Sequence, residues 1–198
     1  MPPFVGLTGG LGAGKSEALR LLGELGAATL STDAVVHELL ATRELRDVVA
    51  ARLGNEVLAD GALDRSRIAE RVFRDAEARR WLEGVLWPRV GERVAAWRAE
   101  VERADPSPPA AVVEVPLLFE SGMDQVFDHT LAIVAGDGLR AERAAGRGHA
   151  AVAERAGVQL TQDEKAQRAD FTVPNDGTIG ELRSALSLVL AKLGGSAP

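Results

Sequence analysis

The sequence predicts an α/β fold with a mainly parallel sheet, organised as one domain. Short apolar runs alternate with stretches of helical periodicity from end to end, the pattern of strand–helix–strand units. The first apolar run, Phe4 to Thr8, leads straight into a glycine-rich turn that opens a helix. The 198 residues are 46% hydrophobic and 26% charged, the length and balance of a globular domain that needs no metal or disulfide staple.

Phe4-Val5-Gly6-Leu7-Thr8 reads as a buried strand ending at the turn Gly9 to Gly14. From Lys15 to Leu25 the leucines at 19, 22 and 25 keep helical spacing, and Gly26 supplies a stop. Ala27 to Leu30 is a second strand. Ser31-Thr32-Asp33 can start a helix, and two helices are expected over 34–41 and 44–53. Asp60-Gly61 marks a turn, and Asp64 or Ser66 caps a helix reaching Phe73. Asp75 to Arg103 is helical, with Pro88 expected to kink or divide it and Trp81, Trp87 and Trp97 assigned to the core of that region. Asp105-Pro106-Ser107-Pro108-Pro109 is a short linker. Ala110 to Val115 and His129 to Ala135 are two more buried strands. Arginine-rich helices are expected over 139–147 and 150–158, and a short one starts at Thr161 or Gln162. Ala169 to Val173 is a fifth strand, and an amphipathic helix over 178–193 stops at Gly194-Gly195.

Composition excludes several chemistries. There is no cysteine, which removes disulfides, thiolate nucleophiles, zinc ribbons and iron–sulfur sites. The three histidines, His37, His129 and His149, have no spacing that would let two share a metal on one helix face. A net charge of −6 argues against nucleic acid as a partner. The N-terminus lacks the basic and apolar regions of a signal peptide, and no apolar run approaches the roughly 20 residues of a membrane span. A soluble, cytoplasmic protein is expected.

Gly9-(four residues)-Gly14-Lys15-Ser16 fits the P-loop (Walker A) pattern. Given 21 glycines and the rarity of lysine, chance would supply roughly 0.003 copies of it in this chain. The chemistry asks for these residue types. Backbone N–H groups of Gly10, Leu11, Gly12, Ala13 and Gly14 can curl around a phosphate, and the following helix points its positive end at the anion. Lys15 reaches the β- and γ-phosphates, Ser16 offers a hydroxyl to Mg²⁺, and Glu17, next on the first helical turn, is expected among the ATP-binding residues. A dinucleotide-binding Gly-x-Gly-x-x-Gly fails because Lys15 and Glu17 occupy its last positions, and no Asn-Lys-x-Asp is present to read guanine. Glu114 ends a strand and is a candidate for the metal's water shell.

The segments Gly6 to Ser16, Asp33, Asp60-Gly61-Ala62-Leu63-Asp64-Arg65 and Pro116-Leu117-Leu118-Phe119-Glu120, with Gln159, Lys165, Ala169-Asp170 and Asn175 in order behind them, resemble the dephospho-CoA kinase family over nearly the whole chain. The resemblance implies a P-loop NTPase fold, a five-stranded parallel sheet flanked by helices. On a core of residues 1–33, 104–138 and 168–198 it implies a CoA-binding helical flap over about 34–103 and a lid over about 139–167. It implies transfer of a phosphoryl group from ATP, with Mg²⁺, to the 3′-hydroxyl of dephospho-CoA, giving coenzyme A and ADP in the last step of coenzyme A biosynthesis. The implied partners are these small molecules, with no nucleic acid or membrane, and the chain is expected as a monomer or weak homo-oligomer. Alternative readings are a kinase of another nucleotide-like acceptor and a catalytically silent ATP-binding regulatory module.

By the same resemblance Asp33 faces the acceptor hydroxyl as base or orienting group; the residue type alone serves equally as a helix N-cap. Arg65 and Thr8 fall on the substrate side, with Glu120 as a further substrate contact. Arg140, Arg143 and Arg147 share one helix face, either a cationic stripe over the transferring phosphate or an exposed basic surface. The family pattern selects Arg143 and Arg147. Asn175 is either a turn residue or a group near the adenine. Glu114 and Glu120 each serve the metal shell or simply end a strand. The chain departs from the family pattern at Glu17 (usually Thr), Ser31 (usually acidic) and Trp87 (usually His).

Overall fold

The computed structural model describes residues 1–145 and 159–195. The chain divides into two compact units, one of Met1–Ser31 with Arg98–Pro198, the other of Thr32–Trp97.

The first unit is built on a five-stranded, all-parallel sheet: β1 (Phe4–Gly9), β2 (Ala28–Ser31), β5 (Ala111–Glu114), β6 (His129–Val134) and β7 (Phe171–Pro174), in the order β2-β5-β1-β6-β7. β1 is central and buried throughout, as a near-continuous apolar run requires when helices cover both faces. Helix α1 (Lys15–Glu24) packs Ala18, Leu21 and Leu22 into one core with Val5 and Leu7 of β1 and Leu182 and Leu186 of the last helix, α8 (Ile179–Gly194). Each such leucine contributes about 1.5–3 kcal/mol by leaving water. Gly26 ends the α1 turn at φ 94°, where a side chain would be strained, and delivers the chain to β2. On the sheet's other side, Phe4 stacks against Phe127 at 4.5 Å and carries the Arg98 guanidinium 4.4 Å above its ring.

The second unit is helical: α2 (Thr32–Leu40), α3 (Arg43–Leu53), α4 (Arg65–Arg74) and α5 (Ala76–Glu102) up to Trp97. Leu45, Val49, Val57, Ile68, Leu82 and Leu86 form its own core. Thr42 caps α3 by accepting from the Leu45 N–H, and Asp64 caps α4 through the Ser66 and Arg67 N–H groups. Of the two caps weighed for α4, it is Asp64 that acts.

Several elements differ from expectation. The Asp60-Gly61 turn closes a hairpin of two two-residue strands, β3 (Leu58–Ala59) and β4 (Ala62–Leu63), too short to show a period of two. Both turn residues have positive φ, 51° and 77°, the geometry an Asp-Gly hairpin turn takes. Pro88 does not divide α5, which continues through it, with the Arg89 guanidinium donating to the Val85 carbonyl at 2.9 Å one turn back. Trp87 is 46% exposed rather than in the core, while Trp81 packs against the core under the Arg52 guanidinium. Short 3₁₀ turns at Asn55–Val57 and Met123–Val126 were not anticipated. Helix α6 (Asp137–Ala145) follows β6, and α7 (Gln162–Arg168) starts from a capping box of Thr161 and Glu164. The helix expected over 150–158 lies outside the described residues. No described helix is long and apolar enough to cross a membrane.

Candidate active site

β1 lies between β5 and β6, and from it the chain leaves first to one side of the sheet and later to the other. Ligands of open parallel sheets sit beyond the strand ends at such a reversal of order. The glycine-rich loop emerges there. Gly12 and Gly14 hold φ of 73° and 93°, and a Cβ would run into the Arg140 carbonyl in one case and the Asn175 amide in the other. Helix α1 then begins at Lys15, so its free N–H groups and positive dipole end face the loop. Lys15 Nζ donates to the Gly9 and Gly10 carbonyl oxygens at 3.1 and 3.0 Å, which keeps its charge over the loop.

Ser16 and Glu114 meet. Ser16 Oγ donates to Glu114 Oε1 at 3.3 Å, with Glu114 buried at the end of β5 opposite Leu7 and Ser31. Two oxygen donors held together above the sheet suit a hard divalent cation that completes its shell with water and phosphate. Glu17, the departure next to the loop, does not present a bare carboxylate. Arg20 grips it through two hydrogen bonds of 3.2 and 2.6 Å and also pairs with Glu24, which raises the Arg20 pKa. Thr8 is fully buried beside the loop, its Oγ1 3.4 Å from the Pro116 carbonyl.

Three long-range contacts brace the loop from behind. Asn175 is buried and donates from Nδ2 to the Ala13 carbonyl at 2.8 Å, while its own carbonyl accepts from Arg143 Nη1 at 3.1 Å. Arg140 donates from Nε to the Leu11 carbonyl at 3.0 Å and pairs with Asp137 at 2.9 Å. Its guanidinium also flanks Gly10. Arg140, which the family pattern did not select, is thus one of the loop's partners; its helical spacing from Arg143 was the available signal. Arg147 lies outside the described residues.

Glu120 is held deeper. Its Oε1 accepts from Lys165 Nζ at 3.0 Å and from the Leu160 N–H at 2.9 Å, while Oε2 is buried with no hydrogen-bond partner among the described residues. Lys165, completely buried, also donates to the Pro116 carbonyl at 2.6 Å. A buried lysine needs such partners, and its role here was not legible as a site feature.

In the second unit, Asp33 lies in the first turn of α2, after Thr32 has begun the helix, and its exposed carboxylate caps nothing among the described residues. The capping alternative is therefore unused. Arg65 opens α4 with an exposed side chain that has no ion-pair or hydrogen-bond partner among the described residues. No cluster of three or more acidic or histidine side chains among the described residues could hold a metal by itself.

Residues 3–181 match the family model described as dephospho-CoA kinase. A dephospho-CoA kinase of Protochlamydia amoebophila is 36% identical over 186 residues, 92% of each chain. One from Anaeromyxobacter dehalogenans is 38% identical over 197 residues, 96% of this chain and 92% of that one. Among solved structures, TT1252 from Thermus thermophilus superposes with a TM-score of 0.80 at 34% identity, covering 97% of this chain and 98% of that one.

Proposed function

The chain belongs to the dephospho-CoA kinase family, and from that premise we propose which residues carry each part of the reaction. The enzyme transfers the γ-phosphoryl group of ATP to the 3′-hydroxyl of dephospho-CoA, giving coenzyme A and ADP and completing coenzyme A biosynthesis. A bond forms between the 3′-oxygen and the γ-phosphorus, the bond from that phosphorus to the β,γ-bridging oxygen breaks, and the hydroxyl proton passes to a base.

The observation that carries the assignment of roles is the loop itself, with Lys15 over it and Ser16 beside Glu114. The N–H groups of residues 10–16 hold the ATP phosphates, and Lys15 offsets charge gathering on the β- and γ-oxygens. Ser16 and Glu114 would hold Mg²⁺, which would neutralise phosphate charge when bound. Arg143 adds a cation to the transferring group, and Arg147 the same by family pattern. Asn175 fixes the loop near the nucleotide. Asp33 takes the proton from the 3′-hydroxyl, and its lack of a capping bond supports that reading. Arg65 contacts the acceptor from the Thr32–Trp97 unit, which we read as the acceptor-binding flap. The enzyme works in the cytoplasm as a monomer or weak homo-oligomer, and its net charge of −6 argues against nucleic acid as a partner.

Phosphorus NMR of the product formed from ATP and dephospho-CoA tests the assignment. A new monoester on the ribose 3′-oxygen is expected, and Glu114→Gln should raise the Mg²⁺ concentration needed for half-maximal rate. Phosphate on any other oxygen would contradict the acceptor reading.

A further inference from the structure

We propose that a cationic cavity within the Thr32–Trp97 unit holds the diphosphate of the acceptor, with Arg43 and Arg46 joining Arg65 as its charge partners. The proposal rests on dephospho-CoA being the acceptor. The cavity has a volume of about 430 Å³ and draws on four neighbouring elements: His37 and Leu40 from α2, Arg43 and Arg46 from the start of α3, Leu63 from the hairpin, and Arg65 from the start of α4. No carboxylate lines it.

Three arginines around one concavity sum to a positive field that favours an anion there. Asp47, outside the lining, offsets part of this: its Oδ1 accepts from Arg46 at 2.9 and 2.7 Å, and its Oδ2 stands 3.8 Å from Arg43. One carboxylate against three arginines leaves the wall positive. Arg65 has no such partner among the described residues. Two adjoining phosphates present the acceptor oxygens and paired negative charge that several guanidinium forks satisfy best.

Helix α2 supplies the link to the chemistry. Asp33, His37 and Leu40 fall at i, i+4 and i+7, one stripe on which His37 lies about 6 Å and Leu40 about 10 Å along the axis from Asp33. In dephospho-CoA the 3′-hydroxyl and the 5′-diphosphate leave the same ribose. With that hydroxyl at Asp33, a diphosphate directed along α2 reaches the arginine-lined end. The pantetheine chain that follows carries two methyl groups on its second carbon, and Leu40 and Leu63 give them an apolar wall. Charge, apolar surface and the position of the reacting hydroxyl agree in one order.

The test is binding of dephospho-CoA by titration calorimetry, without ATP, to the full-length protein and to Arg43→Glu, Arg46→Gln and the double variant. The Arg43 side chain is 87% exposed, so its replacement disturbs no packing. Dissociation constants should rise about tenfold for each single variant and further for the double, and steady-state KM for dephospho-CoA should follow with KM for ATP unchanged. Arg80→Glu, the same charge change on α5 outside the cavity, should leave binding at the native value. Native affinity in folded Arg43→Glu, or an equal loss in Arg80→Glu, would overturn the proposal. Native binding that survives in the variants alongside a 3′-phosphorylated product would sink the cavity assignment and leave the activity standing. A native protein that binds dephospho-CoA through these arginines yet makes no such product would do the reverse.

Discussion

Asp33 separates a catalytic carboxylate from a structural one. It sits in the first turn of α2, exposed and without a capping bond, so its replacement removes no described contact. Asp33→Asn is expected to unfold at the native temperature and to lose about 10²–10⁴ in kcat, the span a positioned base supplies. Near-native turnover would return the residue to the surface. Asn175 behaves oppositely. Its buried amide holds the Ala13 carbonyl, and Asn175→Ala strands that oxygen at a cost of about 1–3 kcal/mol. Thermal melts should show the loss, and KM for ATP should rise as the loop relaxes. Gly12 through Ser16 were legible because their chemistry is local: each is set by a turn, a dipole or one adjacent side chain. The bracing of the loop was not. Asn175 reaches Ala13 across 162 residues and Arg140 reaches Leu11 across 129, distances at which no periodicity survives. The Glu120–Lys165 pair escaped notice for the same reason.

Among the elements, helix starts were the most legible features because caps are written in neighbouring residues. Thr161 with Glu164 and Thr178 with Glu181 form capping boxes. In each box the backbone N–H of the threonine, then its hydroxyl, holds the glutamate below its ordinary value of 4.5. Asp75 is likewise lowered, first by the Ala78 N–H and then by Arg71 and the Glu77 N–H. A carboxylate with a lowered native pKa stabilises the fold fully above its unfolded value, and that contribution fades as pH falls through the native one. The melting temperature should therefore fall as the solution is taken from neutral to below the carboxylate range. Glu181→Gln should lower it at neutral pH and narrow the gap to native protein in acid; a constant gap would contradict the charged cap. Thr178→Ala, which removes the hydroxyl bonds of the box and leaves the backbone N–H on Glu181, should cost about 1 kcal/mol. The β3–β4 hairpin shows where such reading stops. Its turn was visible in Asp60-Gly61, but two-residue strands carry no alternation. Pro88 does not divide α5, which runs on through it.

At the level of the whole molecule, alternation of apolar runs and helices was enough to anticipate five parallel strands, but not their order. The sequence β2-β5-β1-β6-β7 depends on which strand edges meet after long crossovers, and it is this order that sets the glycine-rich loop at the centre of the sheet. Ser16 and Glu114, 98 residues apart, come within 3.3 Å only because β5 pairs beside β1. This arrangement moves phosphate from ATP to dephospho-CoA. The direct measurement is ADP release from ATP and Mg²⁺, with and without dephospho-CoA, for the native protein and Lys15→Ala. Release should depend on the acceptor, with a product heavier by one phosphate and a rate at least about 10²-fold lower in the variant. Tight ATP binding with no acceptor-dependent ADP from the native protein would contradict it.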